Sequence, residues 1–512
     1  MEASRLTATD LRARASRGFA WKTFGLVAAQ PITLLTTVVL ARLLTPSDFG
    51  VAAMVAVFMS LVTVVNEFGL TSAVVQRQAL TDDELQSVFW FNMVVGFVLL
   101  FVGVASSTLL AAIFDEPLLA QVVPVASLTF VISSLALIPS ALFARHMDFR
   151  RPAVGEVWTA VVTLLASTVF ALLGWGVWAI VCGGLVRTVS TTLYLLLASG
   201  WRPRAHARWH EARPFVRFGG VLTVASVLAW CSWNVDNLLV GRLLGPSPLG
   251  AYSLSFQLTS APTYRLSSTV VTTFLPAFSL VPDERARFRK AYLEGMAFVA
   301  LPSAVVLAIM AVLSEEVVLG LYGPKWSAAV TPLRILCLAG FVLAVTALTG
   351  LVFRGLGLPS RELRWSVVNL AAVTIGVLAG IQAGISGVAL GVTLGMVVSR
   401  AAVQMAAARI LDISVGELWR ALLPAVLAGT TAAALAGGVK LTLVELGVPP
   451  LARLLVAGTV AVAGAWLVIR STRFGAPARD MEGLARGVFR MWREQRGHTA
   501  PREGDDGTAT GG

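Results

Sequence analysis

Apolar runs of membrane-spanning length alternate with short polar, mostly basic segments along nearly all of this 512-residue chain. A hydrocarbon core of about 30 Å takes roughly 20 apolar residues as helix. Runs of that kind fall at 19–43, 50–74, 88–112, 120–143, 154–173, 176–199, 216–243, 250–275, 291–313, 327–352, 364–383, 385–408, 419–437 and 453–470. The pattern predicts an all-α integral membrane protein of about fourteen transmembrane helices. Twelve is the competing count, if 385–408 or a C-terminal pair does not cross.

Composition agrees, with 56% hydrophobic and only 13% charged residues, against roughly 25% charged in soluble proteins. The net charge of +12 would suggest a nucleic-acid partner in a soluble chain, but here its distribution explains it. With the N-terminus cytosolic, 31 of the 40 Lys and Arg fall in inner segments. The outer loops hold only Arg42, Arg242, Lys325, Lys440 and Arg453, and four arginines sit within spans. By the positive-inside rule both termini are cytosolic, and nucleic acid is not a partner. Cys182, Cys231 and Cys337 lie within apolar runs, so no disulfide framework is implied. The polar, basic start reads as a cytosolic lead-in, with the first span as an uncleaved insertion signal.

The chain also repeats itself. ARLLTPSDFG at 41–50 returns as GRLLGPSPLG at 241–250, so Arg42, Leu43, Leu44, Pro46, Ser47 and Gly50 match Arg242, Leu243, Leu244, Pro246, Ser247 and Gly250. A second echo sets Ala120, Val122, Pro124 and Leu128 against Ala328, Val330, Pro332 and Leu336. The repeat is therefore six spans long. An even number of spans gives both copies one orientation, related by an axis along the membrane normal. The predicted organisation is a lead-in at 1–18, a first six-helix lobe at 19–199, a cytosolic linker at 200–215 and a second lobe at 216–408. A two-helix appendage at 409–470 and a tail at 471–512 follow. The tail alternates basic residues with Met481, Leu484, Val488, Phe489 and Trp492, as an interfacial amphipathic helix or simply an inner-side basic segment would. Residues 497–512 have a disordered composition.

No enzyme motif, cofactor signature or metal-spaced Cys/His cluster is present, and His146, His206, His210 and His498 all fall in predicted cytosolic segments. The outer loops are short, which weighs against an integral glycosyltransferase or ligase. Candidate chemistry therefore rests on ionisable residues at membrane depth, which are costly and usually face a cavity or a partner. Arg265 lies near the middle of the eighth span, with Asn66 and Glu67 at the related place in the second. Asp236, flanked by Asn234 and Asn237, lies in the seventh, Arg187 in the sixth and Arg334 near the outer end of the tenth. Arg265 either lines a cavity, pairs with a buried acid or snorkels; Glu67 lies close enough to the cytosol to be interfacial. Asp236 lines the cavity or pairs with Arg242, and Arg42 and Arg242 read as outer-interface anchors. Pro31, Pro262, Pro302, Pro332 and Pro424 fall inside spans, where they permit kinks that are either static or hinges.

Several segments carry a resemblance: ARLLTPSDFG, FGLTSAVVQR with LTDDELQSVFWFN, PSALFARHMDFRR, GWGVWAIVCGG, and WNVDNLLVGRLLGPSPLGAYSLSFQL with FLPAF. In order and over about residues 17–470, the chain resembles the Wzx-like polysaccharide exporters, flippases of lipopolysaccharide biosynthesis in the multidrug/oligosaccharidyl-lipid/polysaccharide superfamily. The resemblance implies two six-helix lobes in a V around a central cavity, plus two extra helices, in a bacterial cytoplasmic membrane. It implies an undecaprenyl-pyrophosphate-linked oligosaccharide as cargo, moved to the outer leaflet by alternating access. A pathway polymerase and glycosyltransferases would be partners, and an ion gradient a driving force as in some relatives. It makes Arg265 the candidate for the pyrophosphate. Lipid II flippases carry arginines in the middle of the first span, where this chain has Gln30, Pro31 and Thr33. The alternative within the superfamily is a multidrug or small-metabolite antiporter.

Overall fold

The computed structural model describes residues 8–66, 74, 77, 81–204, 230–279, 285–356 and 358–471. They are all helical or connecting, with no strand among them. The first repeat runs α1 Ala8–Leu43, α2 Pro46–Asn66, α3 Asp82–Phe114, α4 Leu119–Ser134, α5 Leu137–Arg145, α6 Arg150–Leu172 and α7 Val177–Ser199. The second runs α8 at 230–244, α9 Pro246–Ser279, α10 Arg285–Val312, α11 Val330–Val345, α12 Thr349–Gly355, α13 Pro359–Gly380 and α14 Gly384–Ile410. Then come α15 Val415–Glu445 and α16 Pro450–Ser471.

Helix covers all or part of every apolar run named above. Among the described residues, nine helices are long and apolar enough to cross a membrane, or ten if the bent α4–α5 pair counts as one span. The segment Ser360–Ile410 counts once in that tally, yet it folds back on itself at Ile381–Ala383 as α13 and α14. The stretch 230–244 falls short because only 15 residues of it are described, and in α9 Ser255, Gln257, Thr259 and Thr263 dilute the hydropathy. Crossing helices turn large apolar side chains outward, as lipid-facing surfaces do: Phe101 is 72% exposed.

The duplication is written into the shape of the chain. α4 and α11 are each 16 residues long, each then breaks, and each is followed by a short helix, α5 and α12. Hydroxyls sit at both breaks: Ser134 Oγ donates to the Phe130 carbonyl (2.8 Å) and Thr346 Oγ1 to that of Val342 (2.9 Å). Such back-bonding loosens the last turn of a helix. Pro332 falls in the first turn of α11, where an amide N–H has no intrahelical partner to lose, whereas Pro31, Pro302 and Pro424 lie inside continuous helices. Two capping boxes, Thr81 with Glu84 and Ser414 with Glu417, fix the starts of α3 and α15.

Close helix contacts use small residues. A methyl on Gly96 would strike Ser134, one on Gly103 would strike Ser127 and one on Gly183 would strike Ser167. Between α13 and α14 the backbones themselves touch, at Ala372–Gly395, Gly376–Gly391 and Gly380–Gly387. The two repeats meet at α2 and α9. A methyl on Gly50 would collide with the Pro246 carbonyl, and one on Gly250 with the Pro46 carbonyl.

Candidate functional site

Two short-side-chain bonds draw α8, α13 and α14 around an open space in the second repeat. Ser232 Oγ donates to the Ser366 carbonyl (3.2 Å) and Ser399 Oγ to Asn369 Oδ1 (2.9 Å). Below them Gln404 Oε1 accepts from both Tyr292 Oη (2.8 Å) and Thr349 Oγ1 (2.9 Å). The space is a cavity of about 460 Å³. Trp233, Tyr264 and Trp365 supply flat apolar faces, and Thr346, Ser366, Asn369 and Ser399 supply hydroxyls and an amide. Arg354 and Glu362 also line it and pair at 3.2 Å.

Arg400, on α14, is the exceptional member. The residue is half-buried, its Nε is buried without a hydrogen-bond partner, and among the described residues no carboxylate lies within ion-pair distance. Bringing a cation into that position without a counter-charge is expensive, several kcal/mol on typical estimates. The arrangement is suited to receive a negative charge inside a polar, aromatic-walled chamber.

The residues singled out from sequence are distributed otherwise. Asp236 is 3% exposed, accepts from Tyr252 Oη (2.7 Å) and from the Asn237 amide (2.8 Å), and does not pair with Arg242, whose side chain is exposed. A phenol and an amide satisfy this carboxylate inside the α8–α9 contact. Asn234 donates to the Trp230 carbonyl (3.0 Å), Arg187 is exposed on α7, and Arg334 donates to Ser314 Oγ (3.3 Å). Neither Asp236, Asn234 nor Arg187 lines the cavity. Glu67 and the side chains of Asn66 and Arg265 lie outside the described residues, although Thr263 and Tyr264, immediately before Arg265, line the cavity. The linker from 205, the Phe68–Arg77 motif (apart from Val74 and Arg77) and the tail beyond Ser471 are likewise outside them.

At the far end of α1 the repeats are clasped together. Arg42 Nε donates to the Leu321 carbonyl (2.7 Å) and its Nη2 to that of Gly320. In return Lys325 Nζ donates to the carbonyls of Arg42 (2.9 Å) and Leu44, and Trp326 Nε1 to that of Ala41 (2.9 Å). A helix ends with carbonyls that have no partner of their own, and cations are favoured there. Here each repeat caps the other. Gly320 and Leu321 belong to a π-helical turn, Glu316–Tyr322, whose first residue anchors the appendage. Glu316 is 1% exposed and lies 2.9 Å from Lys440 Nζ on α15 and 3.4 Å from Arg453 Nη1 on α16.

Residues 39–331 match a family described as polysaccharide biosynthesis protein. That is more than half of the chain, and the chain belongs to this family. Among curated relatives it is 25% identical over 339 residues to the lipopolysaccharide biosynthesis protein WzxC of Escherichia coli, covering 66% of this chain and 69% of that one. It is 23% identical to the succinoglycan biosynthesis transport protein ExoT of Rhizobium meliloti, covering 70% and 73%. Among solved structures, a lipid II flippase MurJ in an inward closed conformation superposes with a TM-score of 0.70 at 12% identity, over 87% of this chain and 97% of that one. An inward-facing multidrug resistance MATE transporter gives 0.63 at 15%, over 76% and 98%. At such identities the structural likeness establishes a shared fold.

Proposed function

We propose that this protein flips an undecaprenyl-pyrophosphate-linked oligosaccharide, a polysaccharide repeat unit, from the cytosolic to the outer leaflet of a bacterial cytoplasmic membrane. Family membership, with relatives named for polysaccharide biosynthesis and transport, carries this reading. Fourteen crossings, both termini cytosolic, two six-helix lobes related along the membrane normal and the α15–α16 appendage make up the working architecture. The lobes rock about their contact, exposing the cavity alternately to either side. Arg265 is the proposed cation for the pyrophosphate, and Glu67, Asn66, Asn234, Asp236 and Arg187 are secondary candidates along the path. Glycosyltransferases supply the cargo, a polymerase consumes it, and an ion gradient is the proposed drive. The competing reading, an exporter of lipophilic cationic drugs, sits poorly with the uncompensated guanidinium of Arg400, which would repel such a cargo.

The test pairs a deletion strain with Arg265→Ala and Arg265→Lys. Loss of the protein should abolish surface glycan and leave lipid-linked intermediate on the cytosolic leaflet. Arg265→Ala should do the same at normal protein abundance, with Arg265→Lys retaining partial export, because charge survives while the bidentate fork is lost. Unchanged glycan with lowered drug resistance in the deletion strain would instead establish the antiporter.

A further inference from the structure

Resting on that reading, we infer that the cavity around Arg400 is a recognition site for an acidic sugar of the cargo, a pyranose bearing one carboxylate, and not a second pyrophosphate site. The argument is one of charge and shape. Arg400 is the one cation lining the cavity that has no counter-ion among the described residues, because Arg354 is already neutralised by Glu362 at 3.2 Å. A monoanion offsets a single guanidinium and can take it bidentately. A pyrophosphate, carrying two or more charges, would be left half-compensated, with the Glu362 carboxylate lining the same chamber. The rest of the wall is chemistry for a sugar ring. Trp233, Tyr264 and Trp365 offer flat surfaces to its C–H face, and Asn369 and Ser366 offer partners to its hydroxyls. The place also suits an order of binding along one cargo, since Arg265 follows Tyr264 directly and the sugars follow the pyrophosphate.

A site of this kind leaves a signature in the ligand-free protein. A buried cation held without a partner destabilises the ligand-free protein, so a neutral residue of similar length should stabilise it while abolishing recognition. The purified protein, reconstituted in lipid nanodiscs, would be titrated calorimetrically with a glucuronate-containing disaccharide, its neutral glucose counterpart and inorganic pyrophosphate. The uronate should bind at least tenfold more tightly than the neutral disaccharide. Arg400→Gln should erase that difference, Arg400→Lys should keep part of it, and Arg400→Met should melt above the wild type without ligand. In proteoliposomes, Arg400→Gln should slow flipping of a polyprenyl-pyrophosphate-linked acidic disaccharide at least tenfold more than that of a neutral one. Equal binding of the two sugars, pyrophosphate displacing the uronate at lower concentration than the uronate itself binds, or equal slowing of both cargoes would overturn the inference while leaving flipping intact. Failure of the wild type to flip either cargo would overturn the function beneath it.

Discussion

Gly50 and Gly250, two hundred residues apart in sequence, meet in space: a methyl built on Gly250 would lie 3.0 Å from the backbone nitrogen of Gly50. Each glycine also faces the other's repeat-mate proline, Gly50 the carbonyl of Pro246 and Gly250 that of Pro46. Contacts that exchange under the sequence repeat are the mark of a two-fold relation between its copies, as in an isologous interface.

No side chain fits at that crossing. Gly50→Ala and Gly250→Ala should each lower stability by about 1–3 kcal/mol, the usual cost of overpacking. The double variant should lose less than the sum, because parting α2 from α9 relieves both clashes. Gly184→Ala, with open space around the position, serves as the control and should not destabilise. Thermal midpoints in detergent decide it, and an unshifted midpoint for Gly50→Ala would contradict the contact.

Glu316 neutralises two cations from the appendage, so its loss strands Arg453 and leaves Lys440 only Glu315, at 3.6 Å. Glu316→Gln should destabilise by about 3–5 kcal/mol, the range for breaking a buried pair from one side. Removing the stranded charge with Arg453→Met in the same chain should recover a substantial part. A double-mutant cycle on thermal midpoints reads this, and additive losses would mean that the pair is not energetically coupled.

The clasp at the end of α1 predicts both a gate and an orientation. In a background without Cys182, Cys231 and Cys337, a cysteine replacing Ala41, which is fully buried, should resist a membrane-impermeant thiol reagent added outside. Adding Arg42→Gln and Lys325→Gln should raise its labelling severalfold, because the carbonyls they cap are then freed to open. Labelling that stays low refutes the gate, and labelling only from the cytosolic side reverses the proposed topology.

Much of the scaffold was legible from the chain alone. Apolar runs announced the helices because lipid leaves a spanning backbone few alternatives, and the Arg42–Gly50 motif pointed to a repeat. What the motif could not announce was that its two copies touch, since a repeat specifies symmetry and not proximity. The site was less legible for a related reason. Arg400 stands ten residues before the end of α14, close enough to the inner face to pass for a snorkelling side chain, and only the enclosing walls of α8, α13 and α14 reveal it as stranded. Asp236 is the converse case: a carboxylate at depth suggests transport, and what the sequence did not show is that Tyr252, sixteen residues on, donates to it. Glu316 drew no notice because the π-helical turn that buries it has no periodic signature.

The glycine contacts between α13 and α14 bear on how cargo could be measured. Three backbone-to-backbone rungs, at Ala372–Gly395, Gly376–Gly391 and Gly380–Gly387, leave no side chains between the helices that could change rotamer and let them slide. Trp365 and Asn369 stand on one of these helices and Arg400 on the other, so their spacing is set by a welded strut. Ser232, Trp233 and Tyr264 stand on α8 and α9, and on the proposed rocking motion α9 carries the contact with the first repeat. The chamber is then a caliper with one fixed jaw and one travelling jaw. The size of the sugar it holds determines how far the travelling jaw can close.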